Sequence, residues 1–346
     1  MPNLSDYLLP DGRYYFDNAA TTKMSKEALK VYNETADKWF MNPMSYKDFD
    51  SRIDDLLNDA RNRVIEFVGG NTDTDRVIFT SGATESINLL LKGYFFANFH
   101  EKKKIITSKI EHKAVLETCN YLETIGAEIE YVDIKPDGNI DYNHLKTLVD
   151  TNTLFVCLMH VNNETGHSSN LHEIYTITKS VDAKFFTDTT QSLTKIDVNA
   201  LHFDACVGSA HKFHGPKGVG FLYLKNNVTI APVQHGGGQE SSLRGGTHNL
   251  PGLLAMKEAL VRGNTDDYSI DFEIIFDILK KENIKFKQID ANNHILLLEL
   301  DELNLSKLGE ILIYSKGSAC NSGLEEGSHV YKQVYPFNKS IIRISL

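Results

Sequence analysis

The sequence predicts an α/β protein with a large, mostly parallel β-sheet and a smaller α+β domain. Short apolar runs rich in β-branched and aromatic residues alternate with helix-like segments over most of the chain. Hydrophobic residues make up 41% of the 346 positions, enough for one large domain or two ordinary ones. Strands that alternate with helices in this way are typical of a parallel sheet covered on both faces.

Seven candidate strands account for the large sheet. They are residues 76–80, 104–109, 129–133, 153–159, 184–188, 203–208 and 219–224. Helical patterns lie between the earlier strands, at 84–98, 112–125 and 170–181. The short, hairpin-like spacing around 203–224 is compatible with one antiparallel strand in the sheet.

The pattern of polar and apolar residues changes after the helical segment 249–260. A polar stretch follows, then a helix candidate near 271–282 and an apolar strand at 294–300. We therefore predict a domain boundary near residue 262. The large domain would span 15–262, and a small α+β domain would combine 1–14 with 263–346. Clefts between domains are common ligand sites.

Charge and hydropathy exclude several classes of protein. The formal net charge of −10 argues against a nucleic-acid-binding surface. No apolar run reaches the length of a membrane helix, and the N-terminal segment lacks the pattern of a secretion signal. We therefore expect a cytoplasmic protein without membrane or direct nucleic-acid partners.

Four cysteines divide into two kinds. Cys119, Cys157 and Cys206 lie in apolar or helical contexts and are expected in the core. Cys320 lies in "YSKGSACNSGLEEG", a segment rich in glycine and serine, and is the candidate for an accessible, reactive thiol. The spacing of the four does not suggest a metal site.

The segment "FTSGATESINLLLKG" (79–93) predicts a phosphate site. It runs from a strand through a Ser-Gly turn into a helix, and the N–H groups of a helix N-terminus bind phosphate well. Thr84 can add a hydroxyl hydrogen bond. Taken alone, the pattern is equally compatible with an ordinary helix cap.

A lysine and an aspartate give this phosphate site a chemical context. Asp188 ends an apolar strand, where it could simply cap a helix, and Lys212 lies in "GSAHKFHGPKGVG" (208–220). A lysine in a loop is usually surface. Together, however, a lysine can hold an aldehyde cofactor as a Schiff base while a carboxylate keeps a pyridine nitrogen protonated. This pairing defines enzymes that use pyridoxal phosphate (PLP).

Motifs along nearly the whole chain resemble the cysteine desulfurases of the NifS/IscS type, within the class V aminotransferase-like PLP enzymes of fold type I. The motifs occur in the family's order: "YFDNAATT" (15–22), "FTSGATESINL" (79–89), "EHKAVLET" (111–118), "MHVNNETG" (159–166), "SAHKFHGPKGVG" (209–220), "HGGGQESSLRGGT" (235–247), "GSACNSGLE" (317–325) and "IRIS" (342–345). Fewer residues separate position 262 from Cys320 than is usual in the family, which implies a reduced small domain.

The resemblance implies roles for four residues around the cofactor ring. Lys212 would form the Schiff base, and Asp188 would pair with the pyridine nitrogen. Gln191 would hydrogen-bond the phenolic oxygen, while His112 would stack on the ring and act as an acid/base group.

The resemblance also assigns the phosphate. Ala83, Thr84, Ser209 and His211 would hold it, and Thr247 would reach it from the partner subunit. A threonine supplied in this way implies a homodimer with shared active sites.

The substrate residues complete the implied site. Asn163 and Arg343 would bind L-cysteine, Arg343 through the carboxylate, which a planar guanidinium grips bidentately. The thiolate of Cys320 would attack the substrate sulfur, leaving a persulfide on the enzyme and releasing alanine. An acceptor or scaffold protein would then take the sulfur for iron–sulfur cluster assembly or for tRNA or DNA thiolation, and transient ligation of a cluster by Cys320 stays open.

Two alternative functions remain at this point. A selenocysteine lyase or another class V aminotransferase-like PLP enzyme would share the fold, although transamination needs no nucleophilic thiol. A catalytically weakened homologue that binds partners belongs to another class of protein. The intact set of Lys212, Asp188, His112 and Cys320 argues against it.

Overall fold

A computed structural model describes residues 4–46, 52–100, 102–262, 272–316, 328–336 and 340–346. Cys320, the predicted nucleophile, lies outside the described residues. Within them, no helix is both long and apolar enough to cross a membrane.

Helices and strands alternate through most of the described chain. The helices α1 to α11 are Lys26–Lys38, Pro43–Tyr46, Arg52–Phe67, Ala83–Asn98, Lys113–Thr124, Tyr142–Leu148, Leu171–Thr178, Leu250–Arg262, Glu273–Lys281, Glu302–Ile311 and His329–Val334. The strands β1 to β12 are Tyr14–Tyr15, Arg76–Thr80, Lys104–Ser108, Glu128–Val132, Thr153–Cys157, Lys184–Asp188, Ala205–Ser209, Gly220–Leu224, Lys287–Asn292, Ile295–Glu299, Leu312–Ile313 and Ile341–Ser345.

The predicted large sheet is present, and each of its seven candidate strands is found. In the described residues the strand order is β2-β8-β7-β6-β5-β3-β4. Strand β8 runs antiparallel to both β2 and β7, whereas the other pairs are parallel. The expected antiparallel strand is therefore β8, and the fold class predicted from the sequence is confirmed.

Two hydrophobic layers cover this sheet. Along β5, Val156 packs into the layer that contains α1, α3, α7 and α8, whereas Phe155 packs into the layer of α4 and α5. Successive side chains of a strand point to opposite faces, so a strand buried on both faces has a continuous apolar sequence. All five residues of β5 are buried.

The carboxyl ends of the parallel strands meet at one edge of the sheet. Thr80 ends β2, Ser108 ends β3, Asp188 ends β6 and Ser209 ends β7. The segments that follow these strands therefore converge on the same edge. Ligands of open α/β sheets bind at this edge.

The strands of a second, smaller sheet follow those of the large sheet in the sequence. Strands β12, β10 and β9 form an antiparallel sheet in that order, with a core that includes Phe16, Leu296 and Ile342. Strand β1 pairs in parallel with β11. The domain boundary near residue 262 remains a prediction, because residues 263–271 lie outside those described.

Candidate active site

A cavity of about 510 Å³ lies at the carboxyl edge of the large sheet. Its lining includes most of the residues that the sequence predicts for the site: Ala83, Thr84, His112, Asn163, Asp188, Gln191, Ser209, His211, Lys212 and Arg343. Thr247 is exposed and is not part of this lining. The structure thus brings together residues from six separate segments of the sequence, although their chemical roles are still predictions.

The N-terminus of α4 forms one end of the cavity. Gly82 precedes the helix with φ 155° and ψ 176°, a conformation that is essentially restricted to glycine, and it makes no side-chain capping bond. A Cβ at Gly82 would lie 3.3 Å from the Ser209 hydroxyl. No side chain caps the helix at Gly82, and Ala83 and Thr84 line the cavity, so the first N–H groups of α4 are suited to binding an anion.

Basic groups surround the same end of the cavity. Burial, together with the charges of Lys212 and Lys217, lowers the pKa of His211 to about 4. His211 is therefore neutral at pH 7, with its Nδ1 3.1 Å from the Thr21 hydroxyl. Lys217 also lines the cavity. The positive potential here comes from the lysines and the helix terminus, which suits a phosphate.

Lys212 lies in a single helical turn, Ala210–Lys212, directly after β7. Its Nζ donates to the carbonyl oxygens of Ala19 at 2.6 Å and Ala20 at 2.8 Å. Lys195 Nζ donates to the Lys212 carbonyl at 3.1 Å, and burial together with the Lys212 charge lowers the pKa of Lys195 to about 7. The sequence analysis assigned no role to Ala19 and Ala20, although both lie in the quoted motif "YFDNAATT".

Asp188 ends β6 and Gln191 follows three residues later, and both side chains are buried. Asp188 is 8% exposed, and its Oδ1 accepts from the Thr190 N–H at 2.9 Å. Gln191 is 4% exposed and donates from Nε2 to the Ala19 carbonyl at 2.8 Å. A buried carboxylate with few partners is well suited to face a cationic ring nitrogen.

His112 has two functions in the structure. Its Nδ1 accepts from the Ala114 N–H at 3.1 Å and so caps α5, and its side chain lines the cavity. Because Nδ1 is an acceptor, the proton of the neutral ring is assigned to Nε2. His112 can thus open a helix, which is its ordinary interpretation, and still belong to the predicted site.

Arg343 is fully buried in β12, at 1% exposed. Its Nη1 donates to the Asn163 carbonyl at 2.6 Å, and its Nη2 donates to Asp17 Oδ1 at 2.5 Å. Its Nε, also buried, has no partner among the described residues. Burial raises the pKa of Asp17 although the Arg343 charge opposes the shift. Asp17 is a residue of this site that the sequence analysis missed.

The described residues on both sides of the Cys320 segment are attached to this site. Ser315 and Arg343 exchange two backbone hydrogen bonds, at 3.0 and 2.7 Å. On the other side, the Ser328 hydroxyl donates to Glu164, the neighbour of Asn163. Burial raises the pKa of Glu164, and the Ser328 bond partly offsets the shift.

The three cysteines of the described residues are buried, as the sequence predicts. Burial raises the pKa of Cys119 to about 12 and also raises the pKa values of Cys157 and Cys206. These thiols remain protonated and inaccessible, which disfavours nucleophilic chemistry.

The donor set of the cavity fits a phosphorylated pyridine aldehyde. A helix terminus without a side-chain cap suits a phosphate, a buried carboxylate suits a pyridine nitrogen, and an amine of Lys212 is available for a carbonyl carbon. The orphaned Nε of Arg343 requires one more acceptor, which a carboxylate supplies.

A comparison with known protein families shows to which family the chain belongs. The profile of the aminotransferase class-V family matches residues 14–346. The chain belongs to this family. PLP is the general cofactor of its members.

Individual relatives narrow the group. A cysteine desulfurase IscS of Buchnera aphidicola subsp. Schizaphis graminum is 38% identical over 92% of this chain and 83% of the relative. A cysteine desulfurase IscS of Dictyoglomus turgidum is 34% identical over 92% of this chain and 85% of the relative. Within the class-V family, the chain is thus a member of the cysteine desulfurases, and the predicted resemblance is confirmed.

A solved structure shares nearly the whole architecture. The protein described as "SspA in complex with cysteine" superposes with a TM-score of 0.86 at 30% identity, over 96% of this chain and 98% of that one. The two chains therefore match in extent, whereas the curated relatives are longer. Among the described residues, no group of three or more His, Cys, Asp or Glu side chains is placed to hold a metal ion.

Proposed function

We propose that this desulfurase binds PLP in the described cavity, converts L-cysteine to L-alanine there and receives the sulfur on Cys320 as a persulfide. The observation that supports this most strongly is the lining of one cavity by both parts of the machinery. Lys212 and Asp188 fit the cofactor, and the buried Arg343, with its orphaned Nε, fits the substrate carboxylate.

PLP, when bound, supplies a protonated ring that withdraws electrons from the substrate α-carbon. Asp188 would hold the ring nitrogen in its protonated form, and Lys212 Nζ would bond to the carbonyl carbon of the cofactor. The N-terminus of α4 holds the phosphate together with Ser209 and His211. These assignments use the donors and acceptors that the cavity presents.

Arg343 orients the substrate through its carboxylate. Asp17 and the Asn163 carbonyl fix the two Nη groups, so the guanidinium cannot rotate away from the cavity. A guanidinium presents a rigid fork of donors, and the remaining Nε–H completes a contact with the carboxylate. The Asn163 side chain belongs to the same wall.

His112 Nε2 carries the proton that the reaction moves. Its Nδ1 is held by the Ala114 N–H, so proton exchange at the ring is confined to the nitrogen opposite. The overall step balances without an external oxidant, since L-cysteine and the Cys320 thiol give L-alanine and a Cys320 persulfide. One C–S bond breaks, one S–S bond forms, and the thiol proton stays within the products.

The attachment of the flanking residues supports Cys320 as the acceptor. Ser315 is hydrogen-bonded to the backbone of Arg343, and Ser328 to the neighbour of Asn163. The segment between them therefore starts and ends beside the two residues proposed to bind the substrate.

The proposal includes a homodimer in which Thr247 of the partner subunit completes the phosphate site. Thr247 is exposed and does not line its own cavity. The loop before it is strained: Glu240, Ser241 and Ser242 all have positive φ, at 50°, 56° and 65°. Buried Glu240 holds this loop by accepting from Arg61, His248 and the Phe79 N–H. Strain retained in this way is frequent at functional segments.

The protein that accepts the sulfur from Cys320 is not identified by the residues of this cavity. An acceptor or scaffold protein serving iron–sulfur cluster assembly or tRNA or DNA thiolation would take the persulfide sulfur. L-cysteine is proposed over selenocysteine as substrate, and a cytoplasmic location remains a prediction from the sequence.

Replacement of two lysines of the same cavity tests the cofactor assignment. In protein reconstituted with PLP, Lys212→Ala is expected to lose the visible band of the lysine-bound cofactor and the release of alanine from L-cysteine. Lys217→Ala is the matched control: it removes a positive charge from the same cavity and leaves the amine of Lys212 in place, so at saturating PLP it should retain both. An unchanged visible band in Lys212→Ala would refute the proposal.

A further inference from the structure

The turn between β9 and β10 contacts two walls of the cavity. Asn293 Nδ2 donates to the Gly166 carbonyl at 2.6 Å, next to the segment that carries Asn163. His294 Nε2 lies 3.0 Å from Gln191 Oε1, although the two residues are 103 positions apart. The turn also fits closely, since a Cβ at Gly166 would lie 2.3 Å from the Asn292 carbonyl oxygen.

The contacts of Gln191 decide which way its amide faces. The Ala19 carbonyl can only accept, so the amide group 2.8 Å from it must be the NH₂. Gln191 Oε1 therefore faces His294. Among the described residues these are its two side-chain partners, and they leave one N–H of Gln191 for a group in the cavity.

The same contacts determine the tautomer of His294. Because Gln191 Oε1 is an acceptor, His294 Nε2 must carry the proton, and Nδ1 carries none. Nδ1 is buried without a partner in the described part of the chain. A second proton there would be unsolvated and close to Lys195, Arg343 and Lys212, and burial with these charges holds the pKa of His294 well below its usual value.

We propose that His294 is a positioning residue that holds the amide of Gln191 with an N–H toward the cavity, so that Gln191 donates to the phenolic oxygen of PLP. This rests on the proposed function. An amide free to rotate would also present its carbonyl oxygen, which repels a phenolate. Together with the Ala19 carbonyl, neutral His294 disfavours this alternative, and it acts from the small sheet rather than from the cavity wall itself.

Three variants test the proposal in the apo-protein and after loading with PLP. His294→Leu removes the donor, His294→Gln retains an N–H donor at a similar reach, and Asn293→Gly loosens the same turn without touching Gln191. We measure the dissociation constant of PLP and the midpoint of the pH titration of the visible band.

His294→Leu is expected to weaken PLP binding about 3- to 10-fold, the loss of one hydrogen bond. It should also raise the titration midpoint, because a donor to the phenolic oxygen weakens that oxygen's hold on the Schiff-base proton. His294→Gln should restore both values toward those of the wild type, and Asn293→Gly should leave the midpoint unchanged.

A double-mutant cycle with Gln191→Leu gives the decisive outcome. In that background His294→Leu should add nothing to either quantity, since there is no amide to orient. Equal effects of His294→Leu in both backgrounds, or a midpoint that His294→Leu leaves unchanged, would overturn the inference about His294. The proposed function would still stand in that case if the wild type forms alanine. A wild type that binds no PLP would overturn both.

Discussion

Arg343 shows how much of this site depends on a single side chain. Its guanidinium is held in the protein by Asp17 and the Asn163 carbonyl, and its buried Nε has no acceptor among the described residues. A buried, unpaired donor costs about 1–3 kcal/mol, so the free protein carries a cost that a bound carboxylate removes. In the proposed function, the substrate would therefore meet an arginine whose orientation exists before binding.

Arg343→Lys should lower kcat/KM for L-cysteine about 10- to 100-fold, mainly through KM. A lysine cannot contact Asp17, Asn163 and a carboxylate at once, and a hydrogen bond to a charged group contributes about 1.5–3 kcal/mol. The visible band of bound PLP should persist. Arg13→Lys, in an exposed pair with Asp11, is the control. An unchanged KM would remove Arg343 from the substrate site.

Glu111 is a buried carboxyl beside His112 in the sequence. It accepts from the Ser108 hydroxyl at 2.9 Å and from the Met159 N–H at 3.1 Å, and burial raises its pKa to about 8. Since its pKa in the unfolded chain is near 4.5, the folded state holds a proton that the unfolded state releases between these values. The contribution to stability is complete at low pH and is lost as the pH rises toward 8.

Glu111→Gln should therefore gain stability relative to the wild type as the pH rises from about 5 to about 8. The difference should grow by up to about 1.4 kcal/mol per pH unit, because the amide keeps both contacts and has no proton to lose. Urea unfolding of the apo-protein at several pH values measures it, with Glu66→Gln on the exposed face of α3 as the control. A difference that is independent of pH would contradict the raised pKa.

Residues whose neighbours in the sequence indicate their chemistry could be predicted, whereas residues that act only through distant contacts could not. Lys212, Asp188 and Thr84 lie at strand ends or in turns, and their neighbours in the sequence indicate their chemistry. His294 and Asp17 act through contacts across 103 and 326 positions, and only the packing of the small sheet against the cavity brings these contacts about.

At the scale of elements, α4 contributes its N-terminus rather than its side chains. Its first turn follows Gly82, whose conformation leaves no room for another residue type without strain. The backbone of β8 also packs closely against Gly82, since a Cβ at Gly220 in β8 would lie 2.5 Å from Gly82 Cα. Strand β8 and the turn thus fix the direction in which the helix N–H groups point.

Gly82→Ala should weaken PLP binding about tenfold, because a strain of about 1–3 kcal/mol can be relieved only by moving the phosphate-binding turn. The matched control is Gly126→Ala, which also has a positive φ, of 103°, but has open space around it and lies outside the cavity. The control should lose stability yet keep its PLP dissociation constant. Equal losses of PLP affinity in both variants would contradict the account.

The elements that the sequence predicts best are those buried on both faces. Strands β5, β7 and β8 are continuous apolar runs, and each was located within one or two residues. Strand β9, "KQIDAN", is polar and largely exposed at a sheet edge, so no hydrophobic pattern marks it. Helices α1 and α3 are mostly polar on their exposed faces, and they too were not located in advance.

At the scale of the whole molecule, the proposed homodimer with shared active sites predicts complementation between two defective chains. Lys212→Ala disables the cofactor site of its own subunit, while Thr247→Glu places a carboxylate against the phosphate of the partner's site. In a heterodimer of the two, one of the two sites contains both native residues. Random mixing should restore about a quarter of the wild-type activity.

Activity of the mixed sample after joint refolding, compared with each variant alone, measures this effect. Because Thr247 is exposed and absent from its own cavity, we expect restoration rather than two additive defects. Failure to restore activity in a sample shown to contain heterodimers would place Thr247 in its own subunit's site or outside the site altogether.

The most direct test of the account is the alanine released from L-cysteine, in the presence of a reductant, by the PLP-loaded wild type and Cys320→Ser side by side. The account predicts steady release by the wild type and almost none by the variant, with the same visible band in both. Equal release by the two would contradict transfer of sulfur to Cys320, and no release by a PLP-loaded wild type would contradict desulfuration in this cavity.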